Sequence, residues 1–394
     1  MIKVKLTRIE SIDILRGLVM VLMALDHTRD YFHYGSFFLD PTNLETTTPF
    51  LFFTRFVTHF CAPVFVFLAG TSAFLYGSKK STSALFKFLI TRGFWLVFLE
   101  IVVNNFFWWF DVTYSFIVLQ VIWAIGISMI ALSFLIFIPR KLLLGIGLLI
   151  VFGHNLLDGI EFQGNSFQAI LWYVLHQGGE VATSSNSIIG AYYPVLPWIG
   201  IIILGYCFGH LYQKDFNTTL RRKWLLYLGF CTTLLFFIIR GLNIYGDPAP
   251  WINYGLNIKT VMSFFNVTKY PPSLAYTLIT LGPSFIFLLV VESIKNKVSR
   301  FLLVFGRVPL FFYFIHILVI HVLAIIGILI LGGNWKDMIL TYEVFMNAKL
   351  LDYGYSLLVV YLVWAFVIAL LYFPSKTYMN YKANNKDKWW LSYL

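Results

Sequence analysis

Residues 25–34, LDHTRDYFHY, place Asp26, His27, Arg29, Asp30 and His33 at the end of an otherwise apolar stretch. Charged groups near hydrocarbon are costly, and they almost always face protein or a wet cavity. At about 100° per helical residue, Asp26, Arg29, Asp30 and His33 share one stripe, with His27 beside Asp30. The next apolar stretch carries Arg55 and His59 four positions apart, with Thr58 between them, so these share a face too. Antiparallel packing of the two stretches is expected to bring their polar faces together. Two imidazoles with neighbouring carboxylates suit proton transfer, because histidine titrates near neutrality and a carboxylate can orient it as a base. The competing reading is an ion-pair network that seals a helix bundle. Salt bridges alone, however, do not need histidine.

A second polar group belongs to the opposite ends of the helices. Asp13 and Arg16 form an i,i+3 pair beside Gly17, which either supports the helix locally or presents Arg16 to an anionic ligand. The segment GRVPLFFYFIHILVIH, residues 306–321, opens with Gly306, Arg307 and Pro309. Such residues suit a helix start whose free N–H groups bind an anion. His316 follows deeper in the same stretch, and Arg92 is a further intramembrane charge, with Glu100 after it. The glycines and prolines of PVLPWIGIIILGYCFG, residues 194–209, read as close helix packing. Cys61, next to His59 in space, is expected to be an inert buried thiol. No metal-ligand spacing, phosphate loop or dinucleotide fingerprint is present, so no metal is expected.

Positioning these groups requires membrane helices. The chain of 394 residues is 59% hydrophobic, 19% aromatic and only 12% charged, with mean hydropathy +0.78. Soluble domains carry roughly 25% charged residues. Apolar stretches of spanning length are read at 12–33, 51–76, 84–104, 114–138, 142–157, 192–212, 223–243, 274–294, 305–330 and 354–373. The fold class is therefore an all-α polytopic bundle of about ten spans. Residues 1–374 are expected to form one transmembrane domain, and 375–394 a basic, aromatic tail on the cytoplasmic surface. Lys and Arg concentrate in the loops of one side, including Lys3, Lys5, Arg8, Lys79, Lys80, Arg140, Lys141, Arg221, Arg222 and Lys297, whereas the loops of the other side hold only Lys259, Lys269, Lys336 and Lys349. The positive-inside rule then puts both termini in the cytoplasm. This distribution accounts for the net charge of +11 without a nucleic-acid partner. The first apolar run lacks a small-residue cleavage site and carries Asp26, so it is expected to remain as a span. The outer segment 153–191 has no Lys or Arg and contains a short amphipathic stretch at 166–176.

The blocks SIDILRG-x8-DHTRDYF and THFCAPVFVFLAGTSAFL, with 194–209 and 306–321, resemble the heparan-α-glucosaminide N-acetyltransferase catalytic family of multi-pass membrane proteins, in its bacterial branch. The resemblance implies an acyl-CoA-dependent transmembrane acyltransferase in the bacterial inner membrane. It would use cytoplasmic acetyl-CoA as donor and an amine or hydroxyl acceptor, often a sugar, on the other side. In the sugar-modifying members the key histidine lies in the loop after the first span, and an Asp precedes the PxFVF segment. Here the loop holds His33, His27 lies deeper, and His59 precedes CAPVF. On this reading His27, Asp26, His59, Asp30, Arg29 and Arg55 form the catalytic cluster, with His27 as base and Asp26 or Asp30 holding its imidazole. Arg16, Arg307, Gly306, His316 and Arg92, with Lys87, are the donor-binding set, and Gly70, Thr71 and Ser72 form a passage for the thioester arm. Partners are acyl-CoA, the acceptor and the bilayer, with a homodimer admitted. The alternative function is a proton-coupled transporter or exporter of a small molecule, since such proteins also bury His, Asp and Arg.

Overall fold

Each of the ten apolar stretches contains helix, the conformation in which a backbone satisfies its own polar groups away from water. The structure is a computed structural model and describes residues 9–184 and 187–392; Lys3, Lys5 and Arg8 lie outside the described residues. The chain runs through α1 (Glu10–Phe32), α2 (Pro49–Thr58), α3 (Cys61–Gly77), α4 (Thr82–Phe98), α5 (Asn105–Trp109), β1 (Phe116–Val118), α6 (Val121–Leu135) and α7 (Arg140–Gly153). It continues with α8 (Phe167–Trp172), β2 (Gly179–Ser184), β3 (Ser187–Ala191), α9 (Val195–Phe208), α10 (Thr218–Leu242) and α11 (Ile258–Phe265). Last come α12 (Leu274–Val291), α13 (Lys297–Arg307), α14 (Pro309–Ile330), α15 (Tyr342–Met346) and α16 (Leu357–Asn384). Seven helical stretches, beginning at Pro49, Arg140, Val195, Thr218, Leu274, Pro309 and Leu357, are long and apolar enough to cross a membrane. Helix α1 falls outside that set because its polar groups interrupt it, and α6 because it is short.

Helix α1 is the hub, packed against α2, α3, α12, α13, α14 and α16. Glu10 and Asp13 occupy its first turn and Arg29 its last, the arrangement that complements the helix dipole. Ile9 takes its N-cap position without a side-chain bond, and Ser11 is buried in the first turn. Closest approach comes through glycine. A Cβ on Gly306 would lie 1.7 Å from the Asp13 carbonyl oxygen, and one on Gly17 would lie 1.9 Å from that of Leu302. Gly70 and Gly205 meet the backbones of α9 and α3 in the same way, at 2.0 Å.

Four boundaries differ from the sequence reading, each for a local reason. The stretch 51–76 breaks after α2, because Pro63 has no N–H to give the His59 carbonyl; that oxygen accepts from the Tyr276 hydroxyl instead, at 2.9 Å. The stretch expected at 114–138 begins as strand: Phe116, Ile117 and Val118 pair in parallel with Ile188, Ile189 and Gly190 of β3, which pairs antiparallel with β2. The stretch expected at 305–330 is two helices, meeting at Val308 ahead of Pro309. Helix α16 runs through Pro374 to Asn384, so residues 375–384 extend the last helix. Between α4 and α5 the chain widens into a π turn, Leu99–Asn104. There the buried Glu100 accepts from Asn104 Nδ2 at 2.6 Å and from the Trp123 N–H at 3.0 Å, which caps the start of α6.

Candidate active site

The charged residues near the carboxyl end of α1 satisfy one another. Asp26 accepts from Arg55 Nη1 at 2.9 and 2.8 Å and from Thr58 Oγ1 at 2.7 Å. The Arg29 guanidinium lies 2.8 Å from Asp26 Oδ1 and also pairs with Asp30. Two carboxylates and two guanidiniums thus form a nearly neutral lock between α1 and α2, buried at Asp26 and Arg29 and open to solvent at Asp30. Asp26 does not hold the His27 imidazole: its oxygens are taken, and the expected carboxylate–histidine contact is absent among the described residues.

The partner of His27 is His316. His27 Nδ1 and His316 Nε2 are 2.7 Å apart, and His316 Nδ1 lies 2.9 Å from the Phe312 carbonyl oxygen. A carbonyl only accepts, so His316 Nδ1 carries its proton and Nε2 presents a lone pair. His27 Nδ1–H must then donate to that lone pair. In neutral His27 this leaves the lone pair on Nε2, which makes no hydrogen bond among the described residues. The backbone of α14 therefore fixes the tautomer of a histidine on α1, which is the orienting task expected of a carboxylate. His316 is 0% exposed, whereas His27 retains 9%, so His27 is the less enclosed member of the pair. Its ring also meets Trp108 edge-on at 4.8 Å and Tyr313 at 6.1 Å. The Tyr313 hydroxyl lies beside the Trp108 and Asn104 side chains.

Two cavities approach this pair from opposite ends of α1. One, of about 370 Å³, is lined by Arg16, Ser72, Arg92, Arg307, Tyr313 and Lys382, among others. Arg16 donates to Asp13 at 2.9 Å, to the Gly306 carbonyl at 3.2 Å and to Ser72 Oγ at 3.0 Å. Arg92 lies over the Phe88 ring, and Arg307 is 3.5 Å from Glu10. The other cavity, of about 600 Å³, is lined by Asp30, Tyr31, Trp108, Glu180, Tyr192 and Tyr270, among others. Tyr313 belongs to the first wall and Trp108 to the second; the His27 ring meets both of these rings but is not among the residues lining either cavity.

Several expected site residues go elsewhere. Gly306 is not at a helix start: it lies in the last turn of α13, its carbonyl accepts from Arg16, and its missing side chain admits α1. A helix end offers carbonyl groups rather than N–H groups, so the anion-site role expected of it does not hold. His316 is paired with His27 and is not among the residues lining the cationic cavity. Lys87 is exposed and also absent from that lining. Gly70 and Thr71 face α9, where Thr71 donates to the Gly205 carbonyl, so of the expected passage only Ser72 lines the cavity. The His59 ring packs on Phe56 and Tyr276. His33 ends α1 next to a smaller cavity it shares with Asp30. Cys61 donates to the Val19 carbonyl at 3.3 Å. Trp108, Tyr313 and Lys382 were not singled out in the sequence. In a chain with 41 Phe, 23 Tyr and 12 Trp, aromatic identity alone carries no signal.

Residues 8–246 match the family described as heparan-alpha-glucosaminide N-acetyltransferase, catalytic. The matched region includes Arg16, His27, Arg92 and Trp108 and stops short of Arg307 and His316. No curated protein matches the chain.

Proposed function

The chain belongs to the heparan-alpha-glucosaminide N-acetyltransferase catalytic family, whose function is of the membrane acetyltransferase type, and from that premise we propose that it moves an acetyl group from acetyl-CoA to an amine or hydroxyl of a sugar-like acceptor. The donor enters the cavity of Arg16, Arg92, Arg307 and Lys382, whose cations suit the phosphates of CoA. The acceptor enters the cavity walled by Trp108, Tyr31 and Tyr192, whose flat faces and nearby carboxylates suit a polar ring. The observation that carries the reading is the His27–His316 pair between a cationic cavity and an aromatic one.

The chemistry follows from the tautomer. As the acceptor's nitrogen or oxygen attacks the thioester carbonyl, its proton passes to His27 Nε2. The C–S bond then breaks, the C–N or C–O bond remains, and the proton leaves His27 for the departing thiolate. His316 supports the imidazolium of His27 through the 2.7 Å contact, while the Tyr313 hydroxyl is the donor available to the developing oxyanion. The Asp26–Arg29–Asp30–Arg55 lock keeps α1 and α2 in register. The positive-inside distribution supports a cytoplasmic donor side, both termini cytoplasmic, and residence in the bacterial cytoplasmic membrane.

The test uses proteoliposomes with labelled acetyl-CoA on one side and amino sugars or simple alcohols on the other. Acetylated acceptor with stoichiometric free CoA is expected, and His27→Ala should abolish both. Label that crosses without release of CoA would favour the transporter reading.

A further inference from the structure

His154, Asp158 and His176 lie outside the machinery described above. His154 opens a short 3-10 turn, His154–Leu157, after α7, and His176 belongs to the π turn Tyr173–Gln177 after α8. One donor atom from each of the three comes within 4.8 Å of the others. His154 Nδ1 and His176 Nε2 are 3.4 Å apart, and His176 Nε2 is 3.6 Å from Asp158 Oδ1. These separations are long for hydrogen bonds. Both are close to the roughly 3.3–3.4 Å between donor atoms that bonds of about 2.0–2.1 Å set in a tetrahedral zinc site, and the third pair, His154 and Asp158, within 4.8 Å, has to close toward that spacing on binding.

Two independent features support a bound cation. Both histidines are 2% exposed, and among the described residues Asp158 Oδ1, the carboxylate oxygen nearest His176, has no hydrogen-bond partner. Buried polar atoms left in that state call for an explanation, and an ion is one. The supporting contacts also resemble those around metal ligands. Asn155 Nδ2 donates to Asp158 Oδ2 at 2.8 Å, which turns Oδ1 toward His176. The Trp172 ring stacks on His176 at 5.3 Å.

We propose that His154, His176 and Asp158 form a binding site for a divalent transition-metal cation, Zn2+ by its ligand chemistry, that fastens both ends of the segment 154–177. His176 Nε2 now donates to the His154 carbonyl oxygen at 2.9 Å. On binding, His176 takes the Nδ1–H tautomer, and the lone pair so freed on Nε2 goes to the metal. The carbonyl oxygen, already beside the site, or a water completes four-coordination. The clamped segment leads directly into β2 and β3, which contribute Glu180 and Ile188 to the larger cavity. The site does not depend on the proposed reaction.

The full chain, purified in detergent without a polyhistidine tag and stripped with EDTA, would be titrated with CoCl2 and then ZnCl2. One Co2+ per chain is expected, with the intense visible bands of a tetrahedral ion that Zn2+ displaces. His154→Ala and His176→Ala should each remove those bands, and Asn155→Ala should weaken Zn2+ binding about 10- to 100-fold. The wild-type spectrum decides the matter even where a variant fails to fold. Absence of Co2+ binding, a spectrum of octahedral type, or bands that persist in both histidine variants would overturn the proposal.

Discussion

Replacing His316 by Phe tests the tautomer argument most directly. Phe preserves the flat shape packed on Phe312, where the rings now stack at 5.1 Å, but it removes the acceptor of the 2.7 Å contact. The His27 Nδ1–H would then be buried and unpaired, a cost of about 1–3 kcal/mol. The imidazole can escape that cost by moving its proton to Nε2, which withdraws the lone pair from the atom proposed to take the acceptor's proton. At about 1.36 kcal/mol per decade, acetyl transfer should fall roughly 5- to 150-fold. His316→Gln, whose amide oxygen can accept, should recover part of the loss. The double variant His27→Ala/His316→Phe should be no slower than His27→Ala, because both changes remove one function. The assay is single-turnover release of CoA thiol at saturating acetyl-CoA, with KM measured alongside. Unchanged kcat with a raised KM for acetyl-CoA would return His316 to the donor site and refute the reasoning. Equal loss in the Gln and Phe variants would reduce its role to packing.

Four other outcomes follow. His27→Ala should slow transfer by about 10²- to 10⁴-fold, the range for a lost general base, with CoA affinity intact by calorimetry; His33→Ala, at the end of α1, should do much less. Arg307→Ala should weaken CoA binding by about 1.5–3 kcal/mol if a charge-assisted hydrogen bond is lost, and unchanged affinity would move the donor elsewhere. Gly306→Val should cost about 1–3 kcal/mol of stability or more, read as a lower melting temperature, because its Cβ would meet the Asp13 carbonyl oxygen at 1.7 Å. In the loop after α5, burial would raise the Asp111 pKa, but hydrogen bonds from Thr113 and Ser115 outweigh it and hold the carboxyl below the ordinary value. Its contribution is then complete above about pH 3.9 and lost as the pH falls through the lower folded value. Asp111→Asn should therefore reduce the melting temperature at pH 7 more than at pH 3.

The membrane helices were legible because twenty or so apolar residues in a row have few other fates. Their ends were less so, because they depend on contacts that spacing does not encode. The break at His59 needs Tyr276, and the strand at Phe116–Val118 needs β3, about seventy residues on. The site was legible in its residues and illegible in its pairings. Helical spacing put Asp26, Arg29, Asp30 and His33 on one stripe and Arg55 with His59 on another, and their chemistry suggested a carboxylate behind His27. That inference failed because two arginines reach Asp26 first, and a carboxylate already neutralised by guanidinium is a poor partner for imidazole. Nothing in the order of residues says that His316, 289 positions away, is the acceptor His27 meets. The density of charge in LDHTRDYFHY marks a lock, and the proposed chemistry belongs to the one histidine in it whose ring turns to another helix. Four mutually satisfied charges hold α1 against α2 without drawing on His27. A neutral histidine pair can then sit behind the aromatic walls of two cavities with its proton placed by a backbone carbonyl, and the lone pair of His27 Nε2 is left without a protein partner among the described residues.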